Sequence, residues 1–167
     1  NVGLIVQMAY EWCQRLGDMR TLQWENIDLA TRVLTLEQSK RRADVSLPIS
    51  DELVTMLNEQ RKDFGFQEYV VPHPNPTMGK YEPYAMERLS KVGRRVMRLA
   101  GLPEELRLMD LRRTGVTQMI DSGVPMGQLM SVTGHNNVSS VKPYMKHTYD
   151  SANNALTQRN IRVQSST

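Results

Sequence analysis

A single cysteine, Cys13, occurs in the 167 residues, so no disulfide can close within the chain. Cys13 falls on an apolar stripe at helical spacing and reads as a small buried residue rather than a nucleophile. No stretch approaches the roughly 20 apolar residues that cross a bilayer. The apolar run from Val2 to Ala9 is short and lacks the basic leader of a signal peptide. The three histidines are scattered, with no spacing that suits a metal, so no metal site is expected. A Gly-rich loop of the nucleotide-binding kind is missing, and neither internal repeats nor low-complexity segments occur. These absences leave an ordinary globular domain, with the cytoplasm as the expected compartment.

What is present fits that class. The length suits one domain able to bury a core, with 40% hydrophobic and 23% charged residues. The net charge is +3 and the isoelectric point about 9.1, a mildly basic balance that by itself says little about partners.

Val2, Ile5, Met8, Ala9, Trp12, Cys13 and Leu16 recur at helical spacing from the start, and Gly17 and Asp18 interrupt the pattern. No capping residue precedes them, so the chain is expected to begin inside a domain or without an upstream one. Arg32–Glu37 and Val45–Ile49 alternate and read as a hairpin, joined by the polar, basic run Gln38–Asp44. Ser50 caps a helix to about Lys62. Prolines at 72, 74 and 76 mark an extended loop, with a short strand predicted at Tyr69–Val71. A helix from Tyr84 to Ala100 has Leu89, Val92, Val96 and Ala100 as its predicted buried stripe. Arg88, Lys91, Arg95 and Arg98 lie one position earlier, either as a solvated basic face or as a row of phosphate contacts. Further helices are predicted at Met109–Asp121, Pro125–Val132, Ser139–Lys146 and Ser151–Arg159, followed by a frayed polar tail from Val163. The expected fold class is α+β: mainly α with one small antiparallel sheet.

Four segments carry the chemistry. The first runs from Arg15-Leu16-Gly17-Asp18 to Leu22-Gln23-Trp24-Glu25-Asn26-Ile27-Asp28. The second is Lys40, between the two predicted strands. The third is Asp110-Leu111-Arg112-Arg113-Thr114. The fourth is Thr133-Gly134-His135, with Tyr144 nine residues after the histidine. In this order and spacing they resemble the catalytic domain of the tyrosine recombinase, or phage integrase, family. The resemblance covers Arg15 to about Leu156, nearly the whole chain, and treats residues 1–167 as one catalytic domain without the family's amino-terminal DNA-binding domain.

The resemblance implies a site-specific recombinase or integrase that cleaves and rejoins DNA through a 3′-phosphotyrosine, with Tyr144 as nucleophile. Transesterification puts extra negative charge on the non-bridging phosphate oxygens, so catalysis is mostly positioning and electrostatic stabilisation. Arg15 and Arg112 are the implied clamp, since each guanidinium can grip phosphate oxygens in bidentate fashion. Arg113 competes with Arg112, but adjacent helical residues point about 100° apart and only one can face the site. At pH 7 roughly one free tyrosine in a thousand is ionised, a cost of about 4 kcal/mol that surrounding cations reduce. His135 is the implied hydrogen-bond partner of the scissile phosphate. Lys40 is the implied general acid for the departing 5′ oxygen, against the plainer reading of a solvated charge beside Arg41 and Arg42. Asp18 is given a supporting role, pairing with an arginine or a backbone group. Tyr149 is the nearest competing tyrosine, and His147 is assigned no chemistry.

One position departs from the pattern. The family's second arginine box opens with a histidine three residues before the arginine, and here Met109 stands there. A thioether cannot exchange a proton, and general acid–base terms are worth about 10²–10⁴ in rate. A slowed but active enzyme is therefore expected. The alternatives are a catalytically degenerate DNA-binding module and a type IB topoisomerase-like enzyme. The implied partner is double-stranded DNA, with a homo-tetramer on two DNA sites in the full-length protein and a monomer for the isolated domain. Asn153–Arg159 could pack on a neighbour. No cofactor is implied, because the covalent intermediate conserves the bond energy.

Overall fold

The structure, a computed structural model, describes residues 2–40, 42–145 and 149–164, with the backbone alone at 149 and 150. The expected Arg41 and His147, the end of the predicted helix at Lys146, and residues 165–167 of the tail lie outside the described residues.

Helix α1 spans Val2–Glu11 and buries Leu4, Ile5, Met8 and Ala9 on one face. The apolar stripe predicted a longer helix, interrupted at Gly17 and Asp18. The chain instead breaks at Cys13, which has φ 51°, and Gly17 and Asp18 lie inside the short helix α2, Leu16–Arg20. The break has a packing reason. Trp12 joins the main core and donates from Nε1 to the carbonyl of Pro48 at 2.9 Å, whereas Cys13 joins a second cluster. A continuous helix could not deliver these neighbours to the two clusters in this way.

A 3-10 turn at Trp24–Asn26 leads into β1, Ile27–Asp28. The Asp28 carboxylate accepts from the backbone N–H groups of Ala30 and Thr31 at 2.8 and 3.0 Å, and so turns the chain into β2, Val33–Glu37. Strand β3 is Asp44–Pro48. The antiparallel order β1-β2-β3 adds a third strand to the predicted hairpin. Register pairs Leu34 with Leu47 and Leu36 with Val45, so the alternation places all four on the buried face.

Helix α3, Asp51–Phe64, is capped by Ser50, whose hydroxyl oxygen accepts from Leu53 N at 3.2 Å, and it buries Leu53, Leu57 and Gln60. Gln60 Nε2 donates to the carbonyl of Val70 at 2.9 Å and ties down the extended segment. The strand predicted at Tyr69–Val71 reduces to a single bridge between Gln23 and Tyr69. Val70 and Val71 are both fully buried, so the alternation of a half-exposed strand is missing.

Helix α4 is Met86–Leu99, and its buried residues are Leu89 and Gly93. The predicted stripe needs correcting at its second half: Val96 is 55% exposed and Ala100 is exposed. The face turns because the following loop crosses at Gly93, where a Cβ would sit 2.3 Å from the Leu108 side chain. Helices α5, Asp110–Asp121, and α6, Met126–Thr133, follow. The helix predicted over 139–146 is replaced, up to residue 144, by 3-10 turns at Val138–Ser140 and Lys142–Tyr144. Pro143 supplies no N–H for an α-helical bond there. Helix α7, Tyr149–Gln164, runs past the predicted end at Arg159.

Two apolar clusters result. The main one joins α1, the sheet, α3, α4 and residues 70–71. The second gathers Cys13, Val116, Leu129 and Val141, with the half-buried Tyr144 packed against it, and Val132 borders both. Leu53 is fully buried, so Leu53→Ala should lower unfolding free energy by about 2–5 kcal/mol. At the exposed Val96, Val96→Ala should change it by less than about 0.5 kcal/mol. Urea unfolding followed by circular dichroism checks both, and equal losses would overturn the revised stripe.

Candidate active site

The left-handed Cys13 delivers Arg15 to the N-cap of α2, where its carbonyl accepts from Asp18 N and Met19 N at 3.0 and 3.1 Å. The guanidinium reaches across to the hairpin: Arg15 Nη1 donates to Gln38 Oε1 at 3.1 Å. It lies 3.7 Å from Asp18 Oδ2, an ion pair too long for a hydrogen bond. Asp18 is 3% exposed, and its other oxygen accepts from the backbone N–H of Ser39 at 3.2 Å and from the Ser39 hydroxyl. The first arginine segment and the β2–β3 turn are thus joined at two places. Lys40 is exposed in that turn, one residue beyond the anchored Ser39.

Arg112 sits on α5 and is 8% exposed, while Arg113 faces solvent. Arg112 Nη2 donates to the carbonyl of Thr133 at 2.7 Å, at the end of α6. Its Nη1 is buried and has no hydrogen-bond partner among the described residues. Burial, and after it the charge of Arg15, pushes the Arg112 pKa down to about 10, with Tyr144, Cys13 and Asp18 acting in the opposite sense. The group is still a cation at neutral pH. It is a desolvated charge with an N–H edge to spare, which is what an incoming phosphate oxygen would satisfy.

Gly134 closes α6 in the left-handed region, φ 65°, and turns His135 inward to 5% exposure. His135 Nδ1 is 2.6 Å from Thr133 Oγ1. That hydroxyl gives its one hydrogen to the Leu129 carbonyl at 2.8 Å, so it accepts from Nδ1–H. Tyr144 lies in the Lys142–Tyr144 turn, and its ring centroid is 6.2 Å from that of His135. The structure therefore brings Arg15, Asp18, Arg112, His135 and Tyr144 to the seam between the two clusters. Met109 is 73% exposed at the N-cap of α5 and lines a shallow apolar pocket with Leu16, Met86 and Leu108.

The phage integrase family matches residues 3–151. The chain belongs to that family. It is 26% identical over 148 residues to a putative integrase/recombinase of Sinorhizobium fredii, covering 85% of this chain and 74% of that protein. With the integrase of Salmonella phage P22 it shares 23% over 146 residues, 84% of this chain but only 38% of that protein. The fold matches the Tn1549 transposon integrase, solved in complex with transposon right end DNA, with a TM-score of 0.72 at 15% identity, over 94% of this chain and 57% of that one.

For an integrase-family domain the basic face of α4 is also notable. Arg88, Lys91, Arg95 and Arg98 are all exposed, Lys91 pairing with Glu87 at 2.8 Å. Arg94, which the sequence reading passed over, shares a groove with Lys91, Arg95 and Arg98 and lines a cleft of about 330 Å³ with Arg98 and Arg107. Gln38 and Thr133 were also missed as partners of the arginines. A signal for Gln38 existed: it continues the inward phase of Leu34 and Leu36.

Burying an incompletely bonded cation lowers stability. Arg112→Met is therefore expected to melt at the wild-type temperature or above it, as the Thr133 carbonyl still accepts from Gln38. Differential scanning calorimetry checks this, and a fall of several degrees would show that Arg112 is held for the fold.

Proposed function

We propose that this domain cuts and rejoins double-stranded DNA through a covalent phosphotyrosine, as a site-specific recombinase or integrase. The Tyr144 oxygen attacks a phosphodiester phosphorus, the bond to the 5′ oxygen breaks, and a 3′-phosphotyrosine forms. Attack by another 5′ hydroxyl reverses the step. The observation that carries this reading is the buried Nη1 of Arg112, which has no hydrogen-bond partner among the described residues, on a guanidinium that feels the charges of both Arg15 and Tyr144. A pre-formed cationic clamp of this kind stabilises charge that develops on phosphate oxygens. Family membership and the DNA complex of the Tn1549 integrase support DNA as the partner.

In this reading Arg15 and Arg112 grip the non-bridging oxygens, and Asp18 braces the first arginine. His135 hydrogen-bonds the scissile phosphate, and the phenolic proton of Tyr144 leaves to water, since the thioether of Met109 cannot take it. Lys40 protonates the leaving 5′ oxygen. Arg88, Lys91, Arg95 and Arg98 contact the DNA backbone. The intermediate keeps the energy of the broken bond, so the reaction calls for no cofactor.

A nicked suicide duplex tests the nucleophile. Wild type and Tyr149→Phe should give a covalent adduct on a denaturing gel, and Tyr144→Phe none. Loss in Tyr149→Phe alone would overturn the assignment. DNA binding without any adduct would favour a degenerate DNA-binding module, the reading that Met109 suggests. Lys40→Ala should slow cleavage by about 10²–10⁴, and a bridging 5′-sulfur leaving group, which needs no proton, should restore it. Equal slowing on both substrates would remove Lys40 from the acid role.

The chain spans less than half the length of the phage P22 integrase, and the assembly is likewise proposed. It comprises a homo-tetramer on two DNA sites, with an amino-terminal DNA-binding domain in the full-length protein, acting in the cytoplasm of a bacterial or phage-infected cell. No helix among the described residues is long and apolar enough to cross a membrane. Helix α7 is exposed over 151–164, including Leu156 and Ile161, which supports packing of Asn153–Arg159 on a neighbour. Without DNA, the isolated chain should elute as a 19.1 kDa monomer in gel filtration, and a tetramer there would contradict DNA-dependent assembly.

A further inference from the structure

The two arginines of the clamp are carried by different helices and never bond to each other. What relates them is an amide. Gln38 is fully buried at the end of β2. Its Oε1 accepts from Arg15 Nη1 at 3.1 Å. Its Nε2 donates to the Thr133 carbonyl at 2.9 Å and to Gln14 Oε1 at 2.5 Å. The same Thr133 carbonyl accepts from Arg112 Nη2 at 2.7 Å. The amide cannot be flipped, because its oxygen would then oppose a carbonyl and a second amide oxygen. Gln14 completes the network by donating to the carbonyls of Trp12 and Val132 at 2.8 and 2.7 Å. Gly134 keeps the space open: a Cβ there would lie 2.7 Å from the Gln38 amide.

We propose that Gln38 is a positioning residue that holds Arg15 and Arg112 at one fixed separation, through its own bond to Arg15 and its shared acceptor with Arg112. The inference rests on the phosphoryl-transfer reading of the site. It goes beyond that reading by giving a function to a residue that touches neither DNA nor the reacting atoms. A buried amide bonded at both ends, as Gln38 is, fixes the groups it joins, and an ångström of misplacement at a reacting centre can cost about 100-fold in rate.

The test uses Gln38→Met and, so that no amide oxygen is orphaned if the single variant folds poorly, the double variant Gln14→Met/Gln38→Met. The probe is a DNA duplex carrying a 3′-(4-nitrophenyl phosphate). Attack by tyrosine forms the 3′-phosphotyrosine and releases nitrophenolate, which needs no acid. With folded protein, the burst rate constant at saturating probe should fall by about 100-fold. Its amplitude and the probe concentration for half saturation should change by less than about threefold. A structural role would instead lower the amplitude. In a second arm, side-chain ¹⁵N spectra of the wild type should show resolved Nη signals for Arg15 and Arg112, and the variants should shift or merge both. Tyr144→Phe distinguishes the two failures. If wild type gives no burst above Tyr144→Phe, the phosphoryl-transfer reading fails and Gln38 is judged on the spectra alone. Wild-type rates in the variants, or unaltered signals from both arginines, would overturn the proposal.

Discussion

The carbonyl of Thr133 accepts two hydrogen bonds, one from Arg112 on α5 and one from Gln38 on the sheet. Much of the site depends on that acceptor. It stands at the last residue of α6, where helix carbonyls lose their internal partners and become available to side chains. The threonine hydroxyl below it orients His135, and the left-handed Gly134 after it allows the chain to turn the histidine inward. One helix end thereby sets the relation of an arginine, a histidine and a strand.

The arrangement is expensive in stability and suited to binding an anion. Arg112 is desolvated, near a second guanidinium, and short of one hydrogen bond among the described residues. Water would solvate that charge better than the protein does. In the proposed reaction a phosphate oxygen would supply an acceptor for that buried N–H edge and a further counter-charge, most of all in the more highly charged transition state. The apolar clusters on either side supply the stability that this site lacks.

Much of the fold was legible because periodicity is local. Leu34, Leu36, Val45 and Leu47 announced a half-buried hairpin, and Ser50 with its acidic first turn announced α3. Two of the misreadings share a cause. Trp12 and Cys13 are neighbours that serve different clusters, and Gly93 is buried because Leu108 crosses it, so that a contact distant in sequence outweighed a local preference. Pro143 acts locally instead, by withholding an N–H from an α-helical turn. Gln38 shows the same limit at the site: its inward phase was readable, but a polar side chain at the end of a strand reads as the start of a turn.

The sequence alone determined the inventory and the order: two arginine segments, a lysine in a turn, a Gly-His pair and a tyrosine nine residues on, each set by short-range spacing along one element. The second arginine segment already favoured Arg112 over Arg113; only the tertiary structure decided how deeply Arg112 is buried, that an amide relates it to Arg15, and that Met109 faces outward. These depend on the crossing of elements far apart in the chain, where burial and the demand that buried polar groups find partners choose among options that local propensity leaves equal.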